Sequence, residues 1–134
     1  MKKSKAQDIK KLNSIAKSLS NIKRAFEQNN IYTPKNLAAD EITQAACTQF
    51  ITNIYEAYDD LRDETKKEIT EMNIVSLRGA RNISSHDYDS VNFETIYYIC
   101  KKLMRPATLS EIYRILGELD SESKGLNGED TDND

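Results

Sequence analysis

The sequence predicts an all-α fold, an up-and-down bundle of four to five helices. Apolar residues recur at steps of three and four along most of the chain, the period of one helix face. Only four Gly and two Pro interrupt 134 residues rich in Lys, Glu and aliphatic side chains. Turn residues fall between the periodic segments, so helices follow one another through short connections. A chain of this length is one domain and can build a core without disulfides or metal. We assign residues 1–119 to a helical domain and 120–134 to an acidic, Gly/Asp/Asn-rich tail predicted to be disordered.

Residues 1–7 read as a polar arm. From Asp8 the positions Ile9, Leu12, Ile15, Ala16, Leu19, Ile22 and Phe26 define a long amphipathic helix, ended by Asn29-Asn30 and a loop at Thr33-Pro34. A second helix is expected from Leu37 to Asp60, with Leu37, Ile42, Ala45, Ala46, Gln49, Phe50, Ile54 and Ala57 on one face. A third starts near Asp63-Glu64, where acids suit a helix N-terminus, and passes Ile69, Met72, Val75 and Leu77. Gly79 inside it costs about 1 kcal/mol relative to Ala, and suits either a close approach of backbone or ligand or ordinary helix packing. Asn92 is a good N-cap for a fourth helix, with Ile96, Ile99, Cys100 and Leu103 toward the core. Pro106 breaks or kinks it, and Leu109 to Leu119 forms the last helical piece.

Net charge is −3, an unusual balance for a nucleic-acid binder. The charge is unevenly spread. Residues 120–134 hold six acids and one base; taking these from the chain's 22 and 19 leaves 16 acids and 18 bases, a body of +2. The first 24 residues hold eight Lys/Arg against one Asp. Both ends suit solvated segments, or segments that bear on access to an anionic substrate. No apolar run approaches membrane length and the Lys-rich N-terminus lacks a signal core, so a cytoplasmic protein without membrane contact is expected. Cys47 and Cys100 lie in amphipathic helices and read as buried reduced thiols. They can pair only if their helices pack side by side, and with one His they give too few soft ligands for zinc.

The chain's single histidine lies in Arg81-Asn82-Ile83-Ser84-Ser85-His86-Asp87-Tyr88. Histidine is the side chain here suited to proton transfer near neutral pH, and a guanidinium matches a phosphate oxygen pair. Together they are the minimum equipment for RNA cleavage, in which the 2′-OH attacks its own phosphate. The spacing adds a constraint. On an unbroken helix a five-residue offset turns the two positions roughly 140° apart. They converge only if the helix ends near Ser84-Ser85, or if two copies of the motif face each other across a dimer. After such a helix end, His86 and Tyr88 would share one side of an extended segment. Taken alone, the same residues also suit a helix terminus closing on a polar turn.

The pattern Arg-Asn, His-x-Tyr resembles the signature of the HEPN superfamily, and specifically of HepT-like ribonuclease toxins. The likeness extends through Ile74 to Ile99, an apolar helix, the motif, an acidic-polar turn and a second helix rich in Ile and aromatics. Ile42 to Leu61 looks like the family's second helix, although members often carry a Gly-Glu-Ala-like step where this chain has Asn53-Ile54-Tyr55-Glu56-Ala57. The resemblance covers roughly residues 5 to 119. It implies metal-independent cleavage of RNA, with no cofactor, to a 2′,3′-cyclic phosphate in a cleft at a homodimer interface. By that resemblance His86 is the acid/base group, Arg81 clamps the scissile phosphate and Asn82 orients the His or the phosphate. Arg78, one turn away, lies outside the motif but on the same side as Arg81 and extends the phosphate grip. The resemblance also implies a toxin–antitoxin partner, a minimal nucleotidyltransferase that transfers AMP onto Tyr88 and silences the site. The alternative is a non-catalytic subunit that binds substrate or nucleotide for a nucleotidyltransferase; a third reading is an inactive structural homologue.

Other candidate chemistry is thinner. Tyr55, Tyr58, Tyr97, Tyr98 and Tyr113 suit base stacking, but at helical spacing they suit a core or dimer interface better. Asp59-Asp60 and Asp63-Glu64 form an acidic cluster with the oxygen chemistry for Mg²⁺, and read first as a solvated helix end. There is no P-loop, no Gly-rich dinucleotide turn and no Ser/His/Asp set.

Overall fold

The computed structural model describes the backbone of residues 3–86 and 92–132, and the side chains of 3–82 and 92–122. It is all helical among these residues, as the sequence predicts: α1 (Lys5–Gln28), α2 (Pro34–Ala38), α3 (Glu41–Asp59), α4 (Asp63–Glu68), α5 (Ile74–His86), α6 (Phe93–Leu103) and α7 (Pro106–Asp132). Five are long and α2 and α4 are short. α1 packs against α3 and α7, α3 also against α5 and α6, and α2 against α6. The core is one cluster built from Leu12, Ile15, Leu19 and Ile22 of α1, Cys47, Ile51 and Ile54 of α3, Leu77 of α5, Ile96 and Leu103 of α6 and Ile112 and Ile115 of α7. No helix among the described residues is long and apolar enough to cross a membrane.

The caps explain where the helices start and stop. Ser4 accepts from the Gln7 N–H at 3.1 Å, so α1 opens at Lys5, within what the sequence suggested was a polar arm. Its end follows expectation: Asn29 closes on the Ala25 carbonyl, and Asn30 takes a left-handed φ of 55°, the conformation that turns a chain out of a helix. The arm is not a free basic tail. The Lys3 ammonium donates to the Asp59 and Leu61 carbonyls, Lys5 pairs with Glu122 at 2.9 Å and Lys11 with Asp60 at 3.1 Å.

Two boundaries differ from the sequence reading. The second helix does not begin at Leu37. Thr33 and Asn36 form a reciprocal capping box around Pro34 that closes the separate turn α2. Asp40 then caps α3, accepting from the Thr43 N–H at 3.0 Å and hydroxyl at 2.8 Å; these bonds hold its carboxyl below the usual carboxylate range. The Gln44 amide satisfies the Leu37 and Ala38 carbonyls at 2.8 and 2.7 Å. The buried face of α3 is therefore Thr43, Gln44, Cys47, Ile51, Ile54, Tyr55 and Ala57, while Ile42 is 84% exposed and Ala45 and Gln49 also face out.

The expected third helix is likewise two, α4 and α5. The Glu111 carboxylate on α7 accepts from the Thr70 N–H, the Thr70 hydroxyl and the Glu71 N–H at 2.8, 2.6 and 3.0 Å. That anchors a non-helical segment which lets both Ile69 and Met72 enter the core. Asn73 restarts the helix, accepting from the Ser76 N–H at 3.1 Å. Downstream, Asn92 caps α6 as expected, and the break expected at Pro106 is there, but the last helix begins at Pro106 itself and not at Leu109. α7 does not stop at Leu119; its backbone stays helical to Asp132, with Glu122 held by Lys5. Cys47 and Cys100 are fully buried and their helices do pack side by side, but the thiols are free. They share a hydrogen bond, which together with burial pushes the Cys100 thiol well up.

One buried charge ties the ends of this arrangement together. Asp8 on α1 has no solvent exposure. It accepts from the Arg62 N–H at 3.1 Å, the Arg62 guanidinium at 2.7 Å and the Thr65 hydroxyl. Burial alone would push the carboxyl up, but these bonds outweigh it and hold the group below the usual carboxylate range. Asp8→Ala should lower stability by about 3 kcal/mol, because it leaves the partners of a buried charge without it. The folded pKa lies below the unfolded one, so the contribution is complete above about pH 4 and is lost as pH falls through the folded value. Thermal unfolding of the wild type should therefore weaken on acidification below that point, and Asp8→Asn should flatten this part of the profile. Equal slopes for the two proteins would remove Asp8 from the account.

Candidate active site

α5 carries the motif. It starts at the Asn73 cap and contains no Gly or Pro after Gly79, so nothing in residues 80–86 forces a break. Val75, Arg78, Gly79 and Asn82 are exposed at steps of three and four and form one solvent stripe. Leu77 and Ala80 bury the opposite face. Among the described residues, nothing outside its own helix backbone lies within 4 Å of the place a Cβ at Gly79 would take.

The helix runs through His86, so it does not end at Ser84-Ser85 as one reading of the sequence required. That reading's extended segment for His86 and Tyr88 loses its premise at residue 86, and Tyr88 lies outside the described residues. Positions 81 and 86 are consequently turned about 140° apart on one continuous helix, whereas position 86 follows Asn82 by one turn on nearly the same side. Within one chain, Asn82 rather than Arg81 is the motif residue adjacent to position 86. The side chain of His86 lies outside the described residues.

Arg78 and Arg81 stand one turn apart and converge on a residue from another helix. The Arg78 Nε–H donates to the Tyr55 hydroxyl at 3.0 Å. The Arg78 and Arg81 guanidinium carbons lie 5.7 and 5.4 Å from the centre of the Tyr55 ring, within cation–π range. Glu56, the next residue of α3, approaches the Arg81 Nε at 4.0 Å. Tyr55 is only 7% exposed, so a buried ring supports a half-exposed pair of cations.

The other tyrosines divide by role. Tyr97 is buried, stacks on Phe26 and donates to the Tyr32 carbonyl. Tyr58 is half-buried beneath the Lys66 ammonium. Tyr98 and Tyr113 are more than half exposed. Three of the four acids of the acidic cluster are in ion pairs: Asp60 with Lys11, Asp59 with Lys66 at 3.9 Å and Glu64 with Arg62 at 3.2 Å. Tyr55 and Glu56 were missed as supports of the site. The sequence singled out Tyr55 for base stacking and Tyr55-Glu56-Ala57 for its place in the family pattern, but not for contact with Arg78 and Arg81, which exists only once α3 and α5 pack.

The described residues thus form an all-helical domain whose motif helix, α5, carries Arg78 and Arg81 one turn apart against Tyr55 of α3. The family model for HepT-like ribonucleases matches residues 8–116, and the chain belongs to that family. No curated protein and no solved structure matches the chain significantly.

Proposed function

We propose that the protein is a metal-independent endoribonuclease toxin whose cleft is completed by a second copy of the chain. The observation that carries this reading is the Arg78/Arg81 pair, held one turn apart on the motif helix in a member of a ribonuclease family. In the proposed reaction His86 takes the proton of the ribose 2′-OH as that oxygen attacks the adjacent phosphorus. The bond to the 5′-oxygen of the next nucleotide breaks, that oxygen is protonated and a 2′,3′-cyclic phosphate remains. Arg81 stabilises the charge that develops on the phosphoryl oxygens, and Arg78 binds phosphate beside it. Asn82, one turn before position 86, orients the acid/base group.

Helical phase is what calls for a second copy, since Arg81 and His86 diverge on one helix. The surface of α5 and α6 suits one. Val75 is 75% exposed and Tyr98 57%. They accompany a groove of about 310 Å³ lined by Met72, Leu77, Ile99 and Leu103, and the bare Gly79 backbone admits close approach of another helix. Regulation completes the proposal. A minimal nucleotidyltransferase antitoxin transfers AMP from ATP to the Tyr88 hydroxyl, releasing pyrophosphate. The new phosphodiester places bulk and negative charge near the position an RNA phosphate must occupy.

The purified protein should cleave single-stranded RNA in EDTA and leave 2′,3′-cyclic phosphate ends; strict dependence on added divalent metal would exclude this mechanism. His86→Ala and Arg81→Ala should each abolish cleavage while keeping the helical circular dichroism spectrum, and retained activity in either would put the site elsewhere. Co-expression with the cognate nucleotidyltransferase should add AMP mass to Tyr88 and stop cleavage. Tyr88→Phe should cleave RNA but escape that silencing. A Tyr88→Phe protein that is still silenced would replace modification by simple occlusion.

A further inference from the structure

Two like charges three residues apart on a helix repel each other, and flexible arginines so placed ordinarily splay into solvent. Here both meet one aromatic residue contributed by α3. Its hydroxyl takes the Arg78 Nε–H at 3.0 Å and its ring attracts both guanidiniums. The neighbouring Glu56 carboxylate approaches Arg81 at 4.0 Å. Tyr55 can do this because it is itself buried, on the face of α3 that carries the core residues Ile51 and Ile54. One bond from Nε leaves four of the five N–H donors of Arg78 for an anion.

We propose that Tyr55 is a positioning residue that fixes Arg78 and Arg81 as a two-pronged clamp for adjacent phosphates of a single RNA strand. The proposal rests on the ribonuclease reading for its substrate. The clamp itself rests on the geometry of α3 against α5. Holding both cations before RNA arrives removes the entropy of ordering two long side chains at the moment of binding. The Tyr55 hydroxyl acts on Arg78, which grips a phosphate beside the scissile one, and therefore bears on substrate binding. The ring acts also on Arg81, and therefore bears on the chemical step.

Tyr55→Phe keeps the ring and removes the hydroxyl. It should raise KM for an RNA oligonucleotide about three- to tenfold, the reach of one ordinary hydrogen bond at a half-exposed site, and leave kcat within twofold. Tyr55→Leu removes the ring as well and should also lower kcat about ten- to thirtyfold, the reach of the lost cation–π contacts. Tyr58→Leu, on the same helix and half-buried, is the control for general damage to α3 and should move neither constant. Two readouts do not require cleavage. In the wild type, the side-chain Nε–H resonances of Arg78 and Arg81 should show ring-current shifts in NMR spectra, which Tyr55→Leu abolishes. Affinity for the same oligonucleotide with 2′-deoxyribose throughout, which the proposed reaction cannot cleave, should fall in both Tyr55 variants. If the wild type binds this probe but cuts no RNA, the ribonuclease reading fails, and probe affinity and the arginine resonances still decide the role of Tyr55. If both Tyr55 variants keep wild-type affinity and resonances, or if Tyr55→Leu loses only thermal stability, Tyr55 is a core residue and the proposal is wrong.

Discussion

The geometry of α5 constrains everything proposed for this protein. A helix that is unbroken from Ile74 to His86 fixes the angle between any two of its positions, and no rotamer change undoes a difference of about 140° between residues 81 and 86. In the proposed site, a phosphate gripped by Arg81 would therefore lie on a different side of the helix from position 86 of the same chain. The second copy proposed above would resolve the conflict by bringing another α5 alongside. The exposed stripe of Val75, Gly79 and Asn82 is suited to that approach, with one apolar contact, one bare stretch of backbone and one polar group near the motif.

The remainder of the fold holds α5 still. α3 lies between α1 and α5 and serves both. It contributes Ile51 and Ile54 to the common core. Toward α5 it contributes Tyr55, where burial and cation support meet in one side chain. The short α4 and the segment after it are fixed from both ends of the chain, by Asp8 of α1 through Arg62 and Thr65, and by Glu111 of α7 through Thr70 and Glu71. These carboxylates accept main-chain N–H groups that a continuous helix would have used internally. They set where α5 starts, and so set the phase of every residue of the motif.

The fold class, the face of α1, the cap at Asn92 and the break at Pro106 were legible because they depend on local chemistry: apolar period, a capping side chain, a ring that cannot continue a helix. The face of α3 was not. Ile42 and Cys47 both fit a three-four period, and the choice between stripes turns on where the helix begins. That start depends on the capping pair Thr33/Asn36 and the Asp40 cap. Both resemble ordinary loop polarity until Gln44 closes the carbonyls between them. The split at Ile69–Asn73 was hidden for a related reason, since the carboxylate that stabilises it comes from Glu111, about forty residues downstream. At the site, residue type and spacing brought Arg78 and Arg81 to one side of a helix, and the structure places both against Tyr55. That contact was not legible, because a tyrosine on a buried helix face carries no mark of which cation it will meet.

The claim at the centre of this account is that one active cleft needs two chains. It is tested by mixing the two separately inactive proteins, Arg81→Ala and His86→Ala, under conditions that exchange subunits. Mass and oligomeric state should be followed by light scattering. A heterodimer then retains one Arg81 and one His86, on different chains. The account predicts a dimer and a gain of RNA cleavage on mixing that neither variant shows alone. A monomeric wild type that cleaves RNA, or variants that exchange subunits and stay inactive when mixed, would contradict it.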